Sequence, residues 1–154
     1  MTNSTVSEAG KVVRALRAAH LHDEGRQALL QMACERIRSW GPAYTSVYAY
    51  MLRGDELALE AHAGRDTEHT LIPVGRGVCG TAVREKRDQN VGGVSAIGNY
   101  LACNTFTKSE LVVLIRRGDH ILGQLDIDSD VPNGFGEREQ ADVKEVADAL
   151  AVLL

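Results

Sequence analysis

The chain has 154 residues, of which 44% are hydrophobic and 25% charged, and this balance predicts one soluble globular domain. Its formal net charge is −4 with no basic block, which argues against nucleic acid and anionic membranes as partners. No apolar run approaches the ~20 residues that span a bilayer. Residues 1–10 lack the apolar core of a signal peptide, so we expect a flexible lead-in, a single domain over 11–154 and a cytoplasmic location.

Hydrophobic periodicity predicts the elements in chain order. Apolar residues at helical spacing indicate a helix around 12–19 and a second one between Asp23 and Gly41. Strands are predicted over 45–52, 56–63 and 70–74, then a short helix over 78–85 and a long polar loop over 91–108. Residues 88–90 fit no element clearly. A second hairpin follows over 111–115 and 120–127, and an apolar stripe predicts a last helix reaching Leu154.

This order contains hairpins rather than strand–helix–strand units, so it predicts an α+β fold with an antiparallel sheet. The N- and C-terminal helices would cover one face of that sheet. The short middle helix and the long loop would cap the other face and leave a pocket there.

Three cysteines, Cys34, Cys79 and Cys103, are an odd number, which favours reduced thiols over a disulfide framework. Cys34 falls on the apolar side of the second helix and is predicted to lie in the core. The spacing of the histidines and cysteines matches no zinc motif, so we expect no metal site and no cofactor.

Cys103 lies in the polar loop, where a cysteine is more typical of thiol chemistry than of core packing. Asp126 and Asp128 alternate along a strand and therefore share one face, and Glu110 begins the partner strand of that hairpin. The three carboxylates are expected to lie close together. Their proximity would raise the pKa of at least one, which could then donate a proton near neutral pH.

Gly75 to Gly80 read GRGVCG, which matches the glycine pattern of dinucleotide-binding loops. The surrounding hairpins do not form the strand–helix–strand unit which that function requires. The glycines are better explained by close approach of the backbone to a ligand, with amides of the helix start facing the same space. Cys79 would then be either a thiol whose pKa the helix dipole lowers or a small buried residue in a tight turn.

The segment from Asp126 to Asp130 resembles the opening of a calcium-binding EF-hand loop. The sixth position, which requires glycine, is Val131, and a strand rather than a helix precedes the segment. We therefore expect no calcium site there.

Several segments together resemble the GAF-type free methionine-(R)-sulfoxide reductases. They are GVCGTA at 77–82, the cysteine at 103, SE at 109–110 and LDIDS at 125–129. The resemblance covers roughly residues 26–154 and implies a GAF-like fold of the architecture predicted above.

The resemblance also implies an activity, the thiol-dependent reduction of free methionine-(R)-sulfoxide. Cys103 would be the nucleophile, and one of Glu110, Asp126 and Asp128 would protonate the departing oxygen. The resulting sulfenic acid would condense with Cys79 to a disulfide, which a thioredoxin-type partner would reduce. The residues implied to bind substrate are Tyr50, Gly77, Val78, Glu110, Asp126 and Asp128. The apolar faces of the N-terminal helices suggest a homodimer.

Three positions depart from the family pattern. His69 stands where the family has a resolving cysteine, Ser46 where it has a pocket tryptophan, and Asn104 where it usually has aspartate. These changes leave three alternatives open: a reductase with a different substrate, a less efficient reductase, and a GAF domain that senses a small molecule or redox state without turnover. A thiol peroxidase-like activity of Cys103 is a further alternative.

Overall fold

The computed structural model describes residues 5–94 and 106–154. The described helices are α1 (Glu8–Leu21), α2 (Arg26–Arg38), α3 (Gly77–Glu85) and α4 (Glu137–Leu153). The described strands are β1 (Ser46–Arg53), β2 (Glu56–Ala63), β3 (Leu71–Pro73), β4 (Gln89–Val91), β5 (Ser109–Arg117) and β6 (His120–Ser129).

The strands of the described residues form one antiparallel sheet in the order β3-β2-β1-β6-β5-β4. Two hairpins, β1–β2 and β5–β6, supply its centre, and the short strands β3 and β4 form its edges. The predicted α+β fold with an antiparallel sheet is confirmed.

Side chains alternate between the two faces of the sheet and form two separate apolar clusters. On one face, Val47, Leu125 and Ile127 pack beneath the helices α1, α2 and α4, together with the buried Cys34. On the other face, Tyr48 and the neighbouring apolar residues of the strands pack against α3. The expected division of the helices between the two faces is therefore confirmed.

Some boundaries differ from those predicted. Helix α1 begins at Glu8, after Ser7 accepts a hydrogen bond from the amide of Gly10, so the last residues of the predicted lead-in are helical. Residues 89–91, which showed no clear pattern, pair with β5 as the edge strand β4. Residues 95–105 of the predicted loop, including Cys103 and Asn104, lie outside the described residues. None of the described helices combines the length and apolar character needed to cross a bilayer.

The glycine at position 80 allows α3 to lie close to the turn that precedes it. A Cβ atom at Gly80 would lie 2.5 Å from the carbonyl oxygen of Pro73, which is a steric overlap. Its own amide and carbonyl bond to Arg76 and Gly75 respectively, which closes the turn on the start of the helix. This close packing holds the first turn of α3 against the sheet, next to the carboxylates of β5 and β6.

Candidate active site

The three predicted carboxylates lie on the sheet face that α3 covers. Glu110 of β5 pairs directly with Asp128 of β6, and Asp126 lies two residues away on the same face. All three are buried, with exposed fractions of 4% for Glu110, 1% for Asp126 and 2% for Asp128. Their predicted proximity is confirmed, and it follows from the register of the β5–β6 hairpin.

Cys79 faces these carboxylates from the first turn of α3. Its Sγ atom lies 3.9 Å from Oε2 of Glu110, and one donor atom each of Cys79, Glu110 and Asp126 lies within 4.8 Å of the other two. Gln124, buried on the same face, donates a hydrogen bond of 3.0 Å from Nε2 to the carbonyl oxygen of Cys79. The side chain of Gln124 thus ties the helix start to β6, a role that no sequence motif indicated.

The thiol of Cys79 is not activated by its place at the helix start. Burial raises its pKa well above the ordinary value of 9.0, and the negative charges of Asp126 and Glu110 raise it further. Of the two alternatives for Cys79, the lowered pKa is therefore wrong, because loss of solvation and two nearby carboxylates outweigh the partial positive charge of the helix start. The other alternative, a small buried residue in a tight turn, agrees with its exposed fraction of 5%. Cys79 carries a protonated thiol at neutral pH.

The pKa of Asp126 is raised above its ordinary value of 3.8, mainly by burial, while hydrogen bonds from Glu110 and Cys79 act in the opposite direction. Within the described part of the chain, its Oδ1 atom has no hydrogen-bond partner. The predicted direction of the shift is confirmed for Asp126, but the predicted cause is wrong: burial raises this pKa, whereas the neighbouring Glu110 lowers it. Asp126 can therefore retain a proton at a pH where an exposed carboxyl group would lose it.

A cavity of about 10 Å³ lies between α3 and these side chains, enough for one water-sized probe. Tyr50, Gly77 and Val78, which the resemblance implied as substrate contacts, all line it, together with His69. The hydroxyl of Tyr50 donates a hydrogen bond of 2.7 Å to the carbonyl oxygen of His69 and so fixes that loop. A methionine derivative needs more space, so its binding requires the walls of this cavity to separate.

A larger concavity of about 490 Å³ lies between the end of α2 and the start of β1. Its lining residues include no cysteine, and neither Glu110 nor Asp126 is among them. The smaller cavity, which Cys79, Glu110 and Asp126 line, is therefore the better candidate for an active site.

Ser46 of β1 lies beside the carboxylates, because it pairs with Asp128 of β6. Its hydroxyl accepts a hydrogen bond of 3.0 Å from the amide of Arg65. The guanidinium group of Arg65 binds both carboxylate oxygens of Asp130, at 2.7 and 2.5 Å, and lies 5.3 Å from the ring centre of Phe106. No local sequence pattern indicated this ion pair, because its two members are 65 residues apart.

A family model and the curated relatives of this chain indicate the same protein family. The sequence model described as GAF domain matches residues 23–154. The free methionine-R-sulfoxide reductase of Escherichia coli is 34% identical over 105 residues, which are 68% of this chain and 63% of that protein. The chain spans between 40% and 63% of the length of the curated relatives that it matches.

Solved structures agree with the sequence comparison. The type II free methionine-R-sulfoxide reductase from Thermoplasma acidophilum has a TM-score of 0.80 at 35% identity, over 83% of this chain and 91% of that one. The free methionine-R-sulfoxide reductase from Neisseria meningitidis, solved in complex with its substrate, has a TM-score of 0.84 at 27% identity, over 99% and 93%. The chain belongs to the GAF domain family, and its resemblance to the free methionine-(R)-sulfoxide reductases is confirmed.

Proposed function

We propose that this chain reduces free methionine-(R)-sulfoxide to methionine by thiol chemistry. The observation that carries the proposal is the buried cluster of Cys79, Glu110 and Asp126 beneath the start of α3, which brings a proton donor and a thiol into one cavity. The reductases among its relatives and structural neighbours supply the substrate class.

In the proposed reaction, the thiolate of Cys103 attacks the sulfur atom of the sulfoxide. The sulfur–oxygen bond of the substrate breaks, and the oxygen leaves the substrate only if it is protonated. Asp126 is the proposed donor of that proton, because its pKa is raised and it lines the cavity. The protonated oxygen then bonds to the sulfur of Cys103 while the sulfur–sulfur bond formed in the attack breaks. Methionine leaves, and Cys103 becomes a sulfenic acid.

Cys79 is the proposed resolving thiol. Its sulfur would displace the hydroxyl group of the Cys103 sulfenic acid, which releases water and forms a disulfide. Because the pKa of the Cys79 thiol is raised, a neighbouring carboxylate must accept its proton during this step. Glu110 and Asp126 both have an oxygen atom close enough to do so.

Other roles stay predictions. Glu110, Asp126 and Asp128 are proposed to hold the substrate ammonium group, with Tyr50, Gly77 and Val78 forming the wall around it. Reduction of the disulfide by a thioredoxin-type partner, assembly as a homodimer, a cytoplasmic location and a single domain over 11–154 belong to the same proposal.

The proposal is tested by incubating the protein with free methionine-(R)-sulfoxide and dithiothreitol and quantifying methionine. We expect turnover by the wild-type chain, loss of turnover in Cys103→Ser and retained turnover in Cys34→Ala, whose side chain lies in the opposite core cluster. Substrate binding without turnover would contradict the reductase and favour a sensing GAF domain. Peroxide reduction that is unaffected by Asp126→Asn, without sulfoxide reduction, would favour a peroxidase.

A separate experiment tests Cys79 as the resolving thiol. After one turnover without reductant, Cys79→Ser should trap Cys103 as a sulfenic acid, which a dimedone-type reagent labels. The wild-type protein should instead show a Cys79–Cys103 disulfide by mass spectrometry. A sulfenic acid of equal yield in both proteins would remove Cys79 from the mechanism and leave the external thiol as the resolving group.

A further inference from the structure

We propose that Cys79, Glu110 and Asp126 form a binding site for a divalent transition-metal ion that accepts mixed sulfur and oxygen ligands, such as zinc. Each residue offers one donor atom, and the three atoms lie within 4.8 Å of one another. All three side chains are buried, with exposed fractions of 5%, 4% and 1%. They come from α3, β5 and β6, so the site has no signature in sequence spacing.

The separation of the donor atoms suits a small tetrahedral ion. Zinc–sulfur bonds of about 2.3 Å and zinc–oxygen bonds of about 2.1 Å place the sulfur and oxygen ligands about 3.6 Å apart. The Sγ atom of Cys79 lies 3.9 Å from Oε2 of Glu110. A movement of a few tenths of an ångström, within the range of side-chain rotation, would bring these two donors to bonding distance from one ion.

A second observation points to a ligand at the same place. Oδ1 of Asp126 is fully buried and, among residues 5–94 and 106–154, has no hydrogen-bond partner. A buried carboxylate oxygen without a partner costs stability, and coordination of a cation would remove that cost. The cavity that Asp126 lines measures about 10 Å³, which accommodates an ion or a water molecule but no organic ligand.

The donor set determines which ions can bind. A thiolate excludes magnesium and calcium, which prefer all-oxygen coordination, and favours zinc and similar transition metals. His69 also lines the cavity, and imidazole is a common zinc ligand, so we assign the fourth position to His69 or to water. The exposed Arg76 is the remaining charged residue of the lining, and water screens its charge.

Metal binding would replace a proton of this cluster. The ion takes the place of the thiol proton of Cys79, which passes to the solvent. If the proposed reductase function is correct, an ion at this position also occupies the proton donor and the resolving thiol, and it blocks turnover. That consequence rests on the proposed function, whereas the binding itself does not.

The test uses cobalt, which absorbs visible light and gives a near-ultraviolet charge-transfer band when a thiolate binds it. The reduced wild-type protein, without any sulfoxide present, should develop this band with one equivalent of cobalt, and zinc should displace it while magnesium should not. Cys79→Ser should lose the band. Cys34→Ala and Cys103→Ser should keep it.

Two further variants test the oxygen ligands. Glu110→Gln and Asp126→Asn should each weaken zinc binding at least tenfold, as measured against a chromophoric chelator. Zinc should raise the melting temperature of the wild-type protein and have a smaller effect on each variant, which also shows that the variants fold.

Absence of the charge-transfer band in wild-type protein, or its persistence in Cys79→Ser, would overturn the proposed site. Loss of sulfoxide reduction would not affect this result, since the titration contains no substrate. Conversely, a reductase that binds no cobalt through Cys79 would keep the proposed function and lose only the metal site.

Discussion

The raised pKa of Asp126 predicts that removing its charge stabilises the fold while damaging the site. In Asp126→Asn, an amide of nearly the same size replaces the carboxyl group. Because the folded protein holds this proton more tightly than the unfolded chain, wild-type stability is highest when the group is protonated. The wild-type protein should therefore lose stability as pH rises above about 3.8, the ordinary value, until the folded pKa is passed.

The magnitude follows from the size of that shift. Each unit by which the folded pKa exceeds the unfolded one lowers stability at high pH by about 1.4 kcal/mol. The asparagine amide can still hydrogen-bond Glu110, so the variant loses at most one exchanged hydrogen bond, worth about 1 kcal/mol. For a fully buried carboxyl group the charge contribution is the larger one, and we expect Asp126→Asn to be more stable than wild type at pH 8.

The assay is urea denaturation of both proteins at pH 5 and pH 8. The advantage of Asp126→Asn should grow from the lower to the higher pH, while sulfoxide reduction falls strongly. Asp119→Asn, which changes an exposed aspartate in the β5–β6 turn, is the matched control and should change stability little at either pH. A variant that is less stable than wild type at pH 8, or whose advantage does not change with pH, would refute this electrostatic explanation.

Three further predictions concern packing, charge and reactivity. Gly80→Ala should lower the free energy of unfolding by about 1–3 kcal/mol in urea titrations, through steric overlap with a strand carbonyl. Gly93→Ala should change it by less than about 0.5 kcal/mol, because a Cβ there meets no atom of residues 5–94 and 106–154 within 4 Å. Asp130→Asn should cost only about 0.5–1 kcal/mol, because Asp130 and Arg65 are partly exposed, and the loss should shrink in 1 M salt. Iodoacetamide at pH 7 should alkylate Cys79 far more slowly in the native than in the urea-unfolded protein, as measured by peptide mass spectrometry. Equal rates would contradict the buried, protonated state of this thiol.

The fold could be predicted from the sequence because apolar residues recur with helical spacing in the helices and alternate in the strands. Residues such as Val47 and Ile127 alternate with Tyr48 and Asp126 along the same strands, so the residues of the two sheet faces can be separated from the sequence. The same alternation places Glu110 near the two aspartates once the hairpin register is known. Local pattern and turn length were enough for this part of the site.

Other features depend on distances that no local pattern contains. A lowered pKa of Cys79 was considered because of its position at a helix start. Burial under the packed fold raises this pKa instead, and carboxylates 31 and 47 residues further along the chain raise it further. The bidentate pair of Arg65 and Asp130 depends equally on tertiary proximity. The electrostatic environment of a side chain depends on its neighbours in the packed fold. For Cys79, those neighbours are known only once α3 is placed against the sheet.

We propose that Cys103 supplies the nucleophile of a free methionine-(R)-sulfoxide reductase. The most direct measurement is the rate of methionine formation from the pure (R)-sulfoxide with dithiothreitol, compared between wild type and Cys103→Ser. We predict turnover in the wild-type protein and none above background in the variant, with both proteins folded. No turnover in the wild type, or equal turnover in the variant, would contradict the account.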